Sequence, residues 1–160
     1  MAQSTQNTVV SVERIINAPA PALFAVVADA GRHAEIDGSG QLVKAKDGAG
    51  QQLALGSTFG MAMKMGVPYS SSNTVVEFEQ DRRIAWQTAL SGPLGRFVGG
   101  RIWRYEFEPV DGGTKVTESW DISQDKQAFF LKHGKVGQQT ATSMSKTLDR
   151  LAEITENAGA

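Results

Sequence analysis

Apolar and polar residues alternate with a period of two through the middle of the chain, and with a helical period at its end. TVVSVERII (8–16) is rich in β-branched residues and predicts a strand. It stops at NAPAP, where Pro19 and Pro21 break it and Pro21 can occupy the first turn of a helix. Leu23, Phe24, Val27 and Ala28 then recur at near-helical spacing up to about Ala34, and IDGSG (36–40) is a turn-rich break. QLVKAKD (41–47) predicts a second strand, followed by a loop rich in Gly and Gln. STFGMAMKM (57–65), SNTVVEFE (72–79), RRIAWQTA (82–89), GRIWRYEFEP (100–109) and TKVTESWDI (114–122) predict five more. Ala141, Met144, Leu148, Leu151 and Thr155 step by three or four along one face of a long closing helix. The order is strand, helical segment, six strands, helix: an α+β domain whose antiparallel meander needs a helix on one face. Residues 1–7 and 157–160 read as loose tails around one domain, 8–156.

Turn chemistry sets the register of the last hairpin. In VDGG (110–113) Asp111 and Gly112 suit a two-residue loop, which pairs Val110 with Gly113. Trp103 then faces Trp120, Tyr105 faces Glu118 and Phe107 faces Val116. On the other face Arg104 meets Ser119, Glu106 meets Thr117 and Glu108 meets Lys115. One face is aromatic and the other polar, as a correct register requires. A three-residue loop with a glycine bulge is the alternative. In the preceding hairpin, pairing Phe78 with Ile84 puts Val76 opposite Trp86 and leaves Glu77 and Glu79 outward.

FGMAMKMG (59–66) places Phe59, Met61, Met63 and Met65 in one phase. That stripe joins Val76, Phe78, Ile84, Trp86, Trp103, Tyr105, Phe107, Val116 and Trp120 on one side of the sheet, with Met144 facing them from the closing helix. Methionine is unbranched and polarisable, so such a wall can repack around ligands of different shape. Plain core is the competing reading, because interiors are normally filled.

Composition narrows the classes. The chain has 160 residues, 41% hydrophobic and 21% charged, as expected of a single globular domain. A net charge of -1 gives no reason to expect nucleic acid or an anionic membrane. Cys is 0, which excludes disulfides, thiol chemistry and Cys-based metal sites. MAQSTQNTVV has neither a basic nor an apolar signal region, and no apolar run reaches membrane-span length, so a cytoplasmic protein without membrane insertion is expected. There is no P-loop, HExxH or GxSxG, and the glycines of SGPLGRFVGG (91–100) lack a βαβ context. No metal or cofactor is expected.

VERIINAPAPALFAVVAD, VVEFEQDRRIAWQ, RYEFEPVDGGTKVTESWD and the closing helix occur in an order that resembles the START-like (SRPBCC) superfamily, within it the polyketide cyclase/dehydrase and lipid-transport group. The resemblance covers roughly residues 8 to 156. It implies a helix-grip fold: a seven-stranded antiparallel sheet curved around a long C-terminal helix, with an internal apolar cavity between them. It assigns no catalytic set, since fold does not fix chemistry.

Acid–base candidates are few. Glu118 is the one carboxylate on the aromatic face, opposite Tyr105; burial there would raise its pKa, unless Arg101 pairs with it at the rim. Arg14 shares the inward phase of Val10, Val12 and Ile16. Asp37 and the amides of Gly38 to Gly40 can hold a polar group, or simply form an Asx turn. His33 and His133 are the 2 histidines, and His33 is expected in a solvated loop. Glu118, Tyr105 and Asp37 are thus the catalytic candidates. SGPLGRFVGG and GVPYS (66–70) can frame a cavity mouth closed by Phe97 or Tyr69, or be ordinary loops. Phe129 and Phe130 can plug that mouth or anchor the helix. The leading expectation is a protein that binds a small, largely apolar molecule such as a polyketide, lipid or aromatic metabolite. A cyclase or dehydratase-type enzyme using the same cavity is the second, and a protein-interaction domain, including a homodimer, meeting through the apolar mouth is the third.

Overall fold

A computed structural model describes residues 3–5, 8–45 and 52–158. Its strands are β1 (Gln3–Thr5), β2 (Val9–Ile16), β3 (Leu42–Ala45), β4 (Thr58–Met65), β5 (Val67–Glu79), β6 (Arg83–Leu90), β7 (Gly99–Val110) and β8 (Gly113–Asp121). Its helices are α1 (Ala20–Val27), α2 (His33–Ile36), α3 (Ala128–Leu131) and α4 (Val136–Ala158), with 3-10 turns at Ala30–Arg32 and Pro93–Arg96. All strands join one antiparallel sheet in the order β1-β2-β8-β7-β6-β5-β4-β3. The seven expected strands are β2 to β8, curled around α4 as a helix-grip fold. Gln3–Thr5, expected to be loose, pairs with Val10–Val12 as a short edge strand. The Gly/Gln-rich loop after β3 lies outside the described residues, as do 159–160.

The Asp-Gly turn behaves as its chemistry demands. Gly112 takes a left-handed φ of 88°, and β7 and β8 pair Val110 with Gly113, Tyr105 with Glu118 and Trp103 with Trp120. β5 departs from the expected register. Phe78 does pair with Ile84, but a bulge between Val75 and Glu77 sets Val75, not Val76, opposite Trp86. Val76 is therefore turned outward and Val75 inward. From the bulge back to the strand's start the inward phase changes, which brings Asn73 and Ser71 to the concave face.

Proline decides where the first helix begins. Pro19 caps α1 in an extended conformation with a proline in the first turn, and Ala20, Leu23, Phe24, Val26 and Val27 are buried. Phe24 meets Phe78 and Phe107 edge-on, each with ring centroids 5.6 Å apart. α4 lays Ala141, Met144, Leu148, Leu151 and Ala152 on the concave face, and Arg14 of β2 holds Asp149 at 2.5 Å. The loop between α2 and β3 docks on the same helix because residue 38 is glycine. A Cβ there would lie 2.1 Å from Ser143 O, and the Gly38 N–H donates to Thr147 Oγ1 at 2.9 Å.

Candidate functional site

Three strands align all three tryptophans of the chain in one row. Trp86 of β6 pairs with Trp103 of β7, which pairs with Trp120 of β8. The row crosses the concave face and divides it. On one side lie α1, α2 and the β5–β6 and β7–β8 turns; on the other lie the β4–β5 turn, the β6–β7 loop and α3.

The α1 side is filled with rings. His33, on the short α2, is buried rather than solvated, because its ring lies on Trp86 with centroids 4.8 Å apart and planes 19° from parallel. Its Nε2–H donates to Val27 O at 2.6 Å. Burial lowers its pKa, although the Val27 bond and the charges of Asp29 and Asp37 oppose the fall. Phe59 closes edge-on over both His33 and Trp86, and Tyr105 stacks between Trp86 and Phe107. Trp86, expected in a ligand wall, is packed by protein rings.

Glu118 stands one pair of residues from the tryptophan row, between Val12 of β2 and Tyr105 of β7. It is 3% exposed. The Tyr105 hydroxyl donates to Oε1 at 2.8 Å, while Oε2 is buried with no hydrogen-bond partner among the described residues. Arg101 does not reach it: that guanidinium holds the buried Asp125 at 2.9 Å and ties the start of β7 to the segment after β8. With no cation beside it, burial pushes the carboxyl up to about 8, against the pull of the Tyr105 bond and with a further push from Asp37. Burial, then the Glu118 charge, hold the Tyr105 phenol well above its usual range. At neutral pH Glu118 is thus mainly a carboxylic acid. With Oε1 accepting from Tyr105, its acid proton is available to donate from Oε2.

Asp37 is the Asx turn. Its Oδ1 accepts from Ser39 N at 3.0 Å and its Oδ2 from Leu42 N at 2.9 Å, while Arg150 of α4 donates to its backbone carbonyl. Both carboxylate oxygens are engaged in holding the loop.

Beyond the tryptophan row the face becomes polar and then partly open. Thr88 Oγ1 donates to Asn73 Oδ1 at 2.6 Å, and Asn73 Nδ2 donates to Phe59 O at 3.2 Å and Ser71 Oγ at 3.4 Å. This trio, in which Asn73 and Ser71 are buried and Thr88 half-buried, was invisible in the alternation because the bulge changes the phase; the adjacent Val75 and Val76 were the only hint. The methionine stripe is graded: Met61 is buried, Met63 packs at the core margin and Met65 is exposed. Trp103 and Tyr69 are partly exposed, and the Tyr69 hydroxyl donates to Gln41 Oε1 at 3.3 Å. Trp120 and Met144 are buried. Phe97 and Phe130, expected over the mouth, point to solvent with Phe129, so they neither close it nor anchor α4. His133 is exposed and meets Phe129 edge-on at 5.0 Å. A depression of about 440 Å3 lies on the outer surface, lined by charged groups such as Arg82, Glu106 and Lys115.

Among the described residues no group of His, Cys, Asp and Glu is arranged to hold a metal ion, and no helix is long and apolar enough to cross a membrane.

Known proteins resemble this chain in sequence or in fold. Protein Rv0088 of Mycobacterium tuberculosis (strain ATCC 25618 / H37Rv) is 39% identical over 108 residues, covering 66% of this chain and 44% of that protein. The chain thus matches less than half the length of that curated relative. Protein Ms6760 of Mycobacterium smegmatis superposes with a TM-score of 0.73 at 12% identity, over 99% of this chain and 98% of that one. The AHSA1-like protein of Aeromonas hydrophila superposes with a TM-score of 0.63 at 19% identity, over 94% of each chain. At those identities the two structures show the fold. A family profile described as polyketide cyclase / dehydrase and lipid transport matches residues 7–156, and the chain belongs to that SRPBCC-type family.

Proposed function

We propose that the chain binds a small, largely apolar molecule beneath α4, entering beside Trp103, and that Glu118 donates a hydrogen bond to a carbonyl or hydroxyl oxygen of that molecule. The observation that carries this reading is the buried Glu118 Oε2, which has no partner among the described residues. An unmet buried polar group costs about 1–3 kcal/mol, so a ligand acceptor placed against it gains correspondingly. Met61, Met63, Trp103, Trp120 and Met144 supply apolar surface, worth roughly 25 cal/mol per Å2 removed from water. Thioether side chains beside the partly exposed Trp103 can move to admit a planar guest. A carboxylic acid donor favours neutral acceptors such as ketones and quinones.

Quenching of tryptophan fluorescence by 1,4-naphthoquinone tests the site, because Trp103 and Trp120 are its walls. Glu118→Gln keeps a donor and should keep binding within about twofold, whereas Glu118→Leu should weaken it about tenfold. Affinity should also fall as pH rises through about 8, where Glu118 ionises. Equal affinity for both variants, with no small molecule retained in native mass spectrometry of gently purified protein, would sink the reading.

The same carboxyl supports a second reading, catalysis of the cyclase or dehydratase type. A group poised near neutral pH can give and retake a proton during carbonyl chemistry. Turnover of a polyketone that Glu118→Gln abolishes while quinone binding persists would distinguish it.

A further inference from the structure

We propose that the open end of the half-barrel docks on an anionic lipid surface. Met65, Val67, Leu94, Phe97, Phe129 and Phe130 all project from this end, each between 61% and 74% exposed. They come from three separate segments: the β4–β5 turn, the β6–β7 loop and α3. The last two are strapped together. Lys126 Nζ donates to Gly95 O at 3.1 Å and also to Arg96 O, and Gln127 Nε2 donates to Phe97 O at 2.5 Å. Phe129 and Phe130 meet edge-on at 5.6 Å, with Lys132 Nζ 5.7 Å from the Phe129 ring centre. Large apolar side chains gathered on a surface and held there by hydrogen bonds mark a contact site.

Charge identifies the partner. Lys64, Arg96, Lys126, Lys132 and Lys135 are all exposed on or beside these segments. Across 60–74, 91–103 and 122–148 the single carboxylate is Asp125, which is buried and held by Arg101. The overall charge of -1 conceals this because acidic groups such as Glu79, Asp81, Glu108 and Asp111 lie at or near the opposite turns. A cationic rim around exposed aromatics matches an anionic bilayer, where apolar burial and attraction to headgroups act together. A second protein copy would bring an equally cationic face and be repelled. The inference stands apart from the interior site, since docking can be read with no ligand present.

Flotation with vesicles of phosphatidylglycerol and phosphatidylcholine, against phosphatidylcholine alone, tests it with the full chain. The wild type should float with the anionic vesicles, much less with the neutral ones, and less at 0.5 M salt. Phe129→Asp with Phe130→Asp, and separately Lys126→Glu, Lys132→Glu and Lys135→Glu together, should each weaken partitioning at least tenfold. Leu55→Asp, exposed near the other end, should leave it unchanged, and circular dichroism should show every variant folded. Equal partitioning onto both vesicle types, no partitioning, or folded variants that float like the wild type would each overturn the proposal. So would a concentration-dependent dimer that Phe97→Asp abolishes while vesicles are ignored.

Discussion

The two ends of the concave face are built from the same alternating strands, yet one is core and the other is surface. At the α1 end, Phe24, Phe78 and Phe107 interlock, and His33, Phe59, Trp86 and Tyr105 continue the packing to the tryptophan row. At the α3 end the strands run into loops whose aromatics point outward, and Met63, Tyr69 and Trp103 are left partly exposed. The difference lies in what covers each end. Two helical segments carrying Leu23, Phe24, Val27 and His33 lie over the first, while the cover over the second is hydrogen-bonded backbone and side chains with its rings facing away. Alternation makes a face apolar; the element laid on it decides whether that face is filled.

Removing a ring from each end should break this symmetry most visibly. Phe24→Ala should lower unfolding stability by about 3–5 kcal/mol, because it is fully buried between two rings. Phe130→Ala should change it by less than about 0.5 kcal/mol. Urea denaturation measures both, and a comparable loss at the two positions would refute the contrast.

Glu118, at the boundary, should dominate the pH dependence. Its pKa rises from about 4.5 unfolded to about 8 folded, so the folded state binds the extra proton between those values. The neutral-carboxyl advantage is full below the unfolded pKa and is lost as pH rises towards 8. Stability should therefore fall by roughly 3 kcal/mol from pH 4.5 to 7 through this group alone. Glu118→Gln should flatten that slope in denaturation curves taken across the range.

Gly38→Ala sharpens the account of how the α1 side is covered. The added methyl meets Ser143 O and the backbone of Thr147, so the loop must lift from α4, at about 1–3 kcal/mol. Thermal unfolding with unchanged far-ultraviolet circular dichroism below the transition would register it. His33 should act with the opposite sign in pH to Glu118. Its folded pKa is depressed, so stability is full above the unfolded value near 6.5 and declines as pH drops below it. His33→Gln should remove that acid-side decline, read from the same denaturation series.

Several of these contrasts were legible before any coordinates. The Asp111-Gly112 turn carried the β7–β8 register through to Glu108 and Lys115, because that hairpin is closed by two residues and each slip would mix its faces. Glu118 and Tyr105 were placed opposite one another by the same count. The β6–β7 connection is longer and irregular, so the pairing of Trp86 with Trp103, which completes the tryptophan row, could not be reached by counting. One bulged residue at Val76 hid Asn73 and Ser71 in the same way. His33 looked like a loop residue because a short helical turn gives no periodicity to read, and only the approach of Trp86 from a distant strand makes its position apolar.

The sequence by itself determined the order of elements, the faces of the regular strands and the register of the tight hairpin, since each depends on residues close in the chain. Tertiary structure alone decided which apolar positions became core, why Glu118 lacks a cation and where the basic residues gather. Those outcomes depend on groups brought together from remote segments: Arg101 is taken by Asp125, and rings from α1 and α2 fill one end of the sheet. Local pattern cannot carry that information, because burial and charge are properties of the surroundings a residue finally meets.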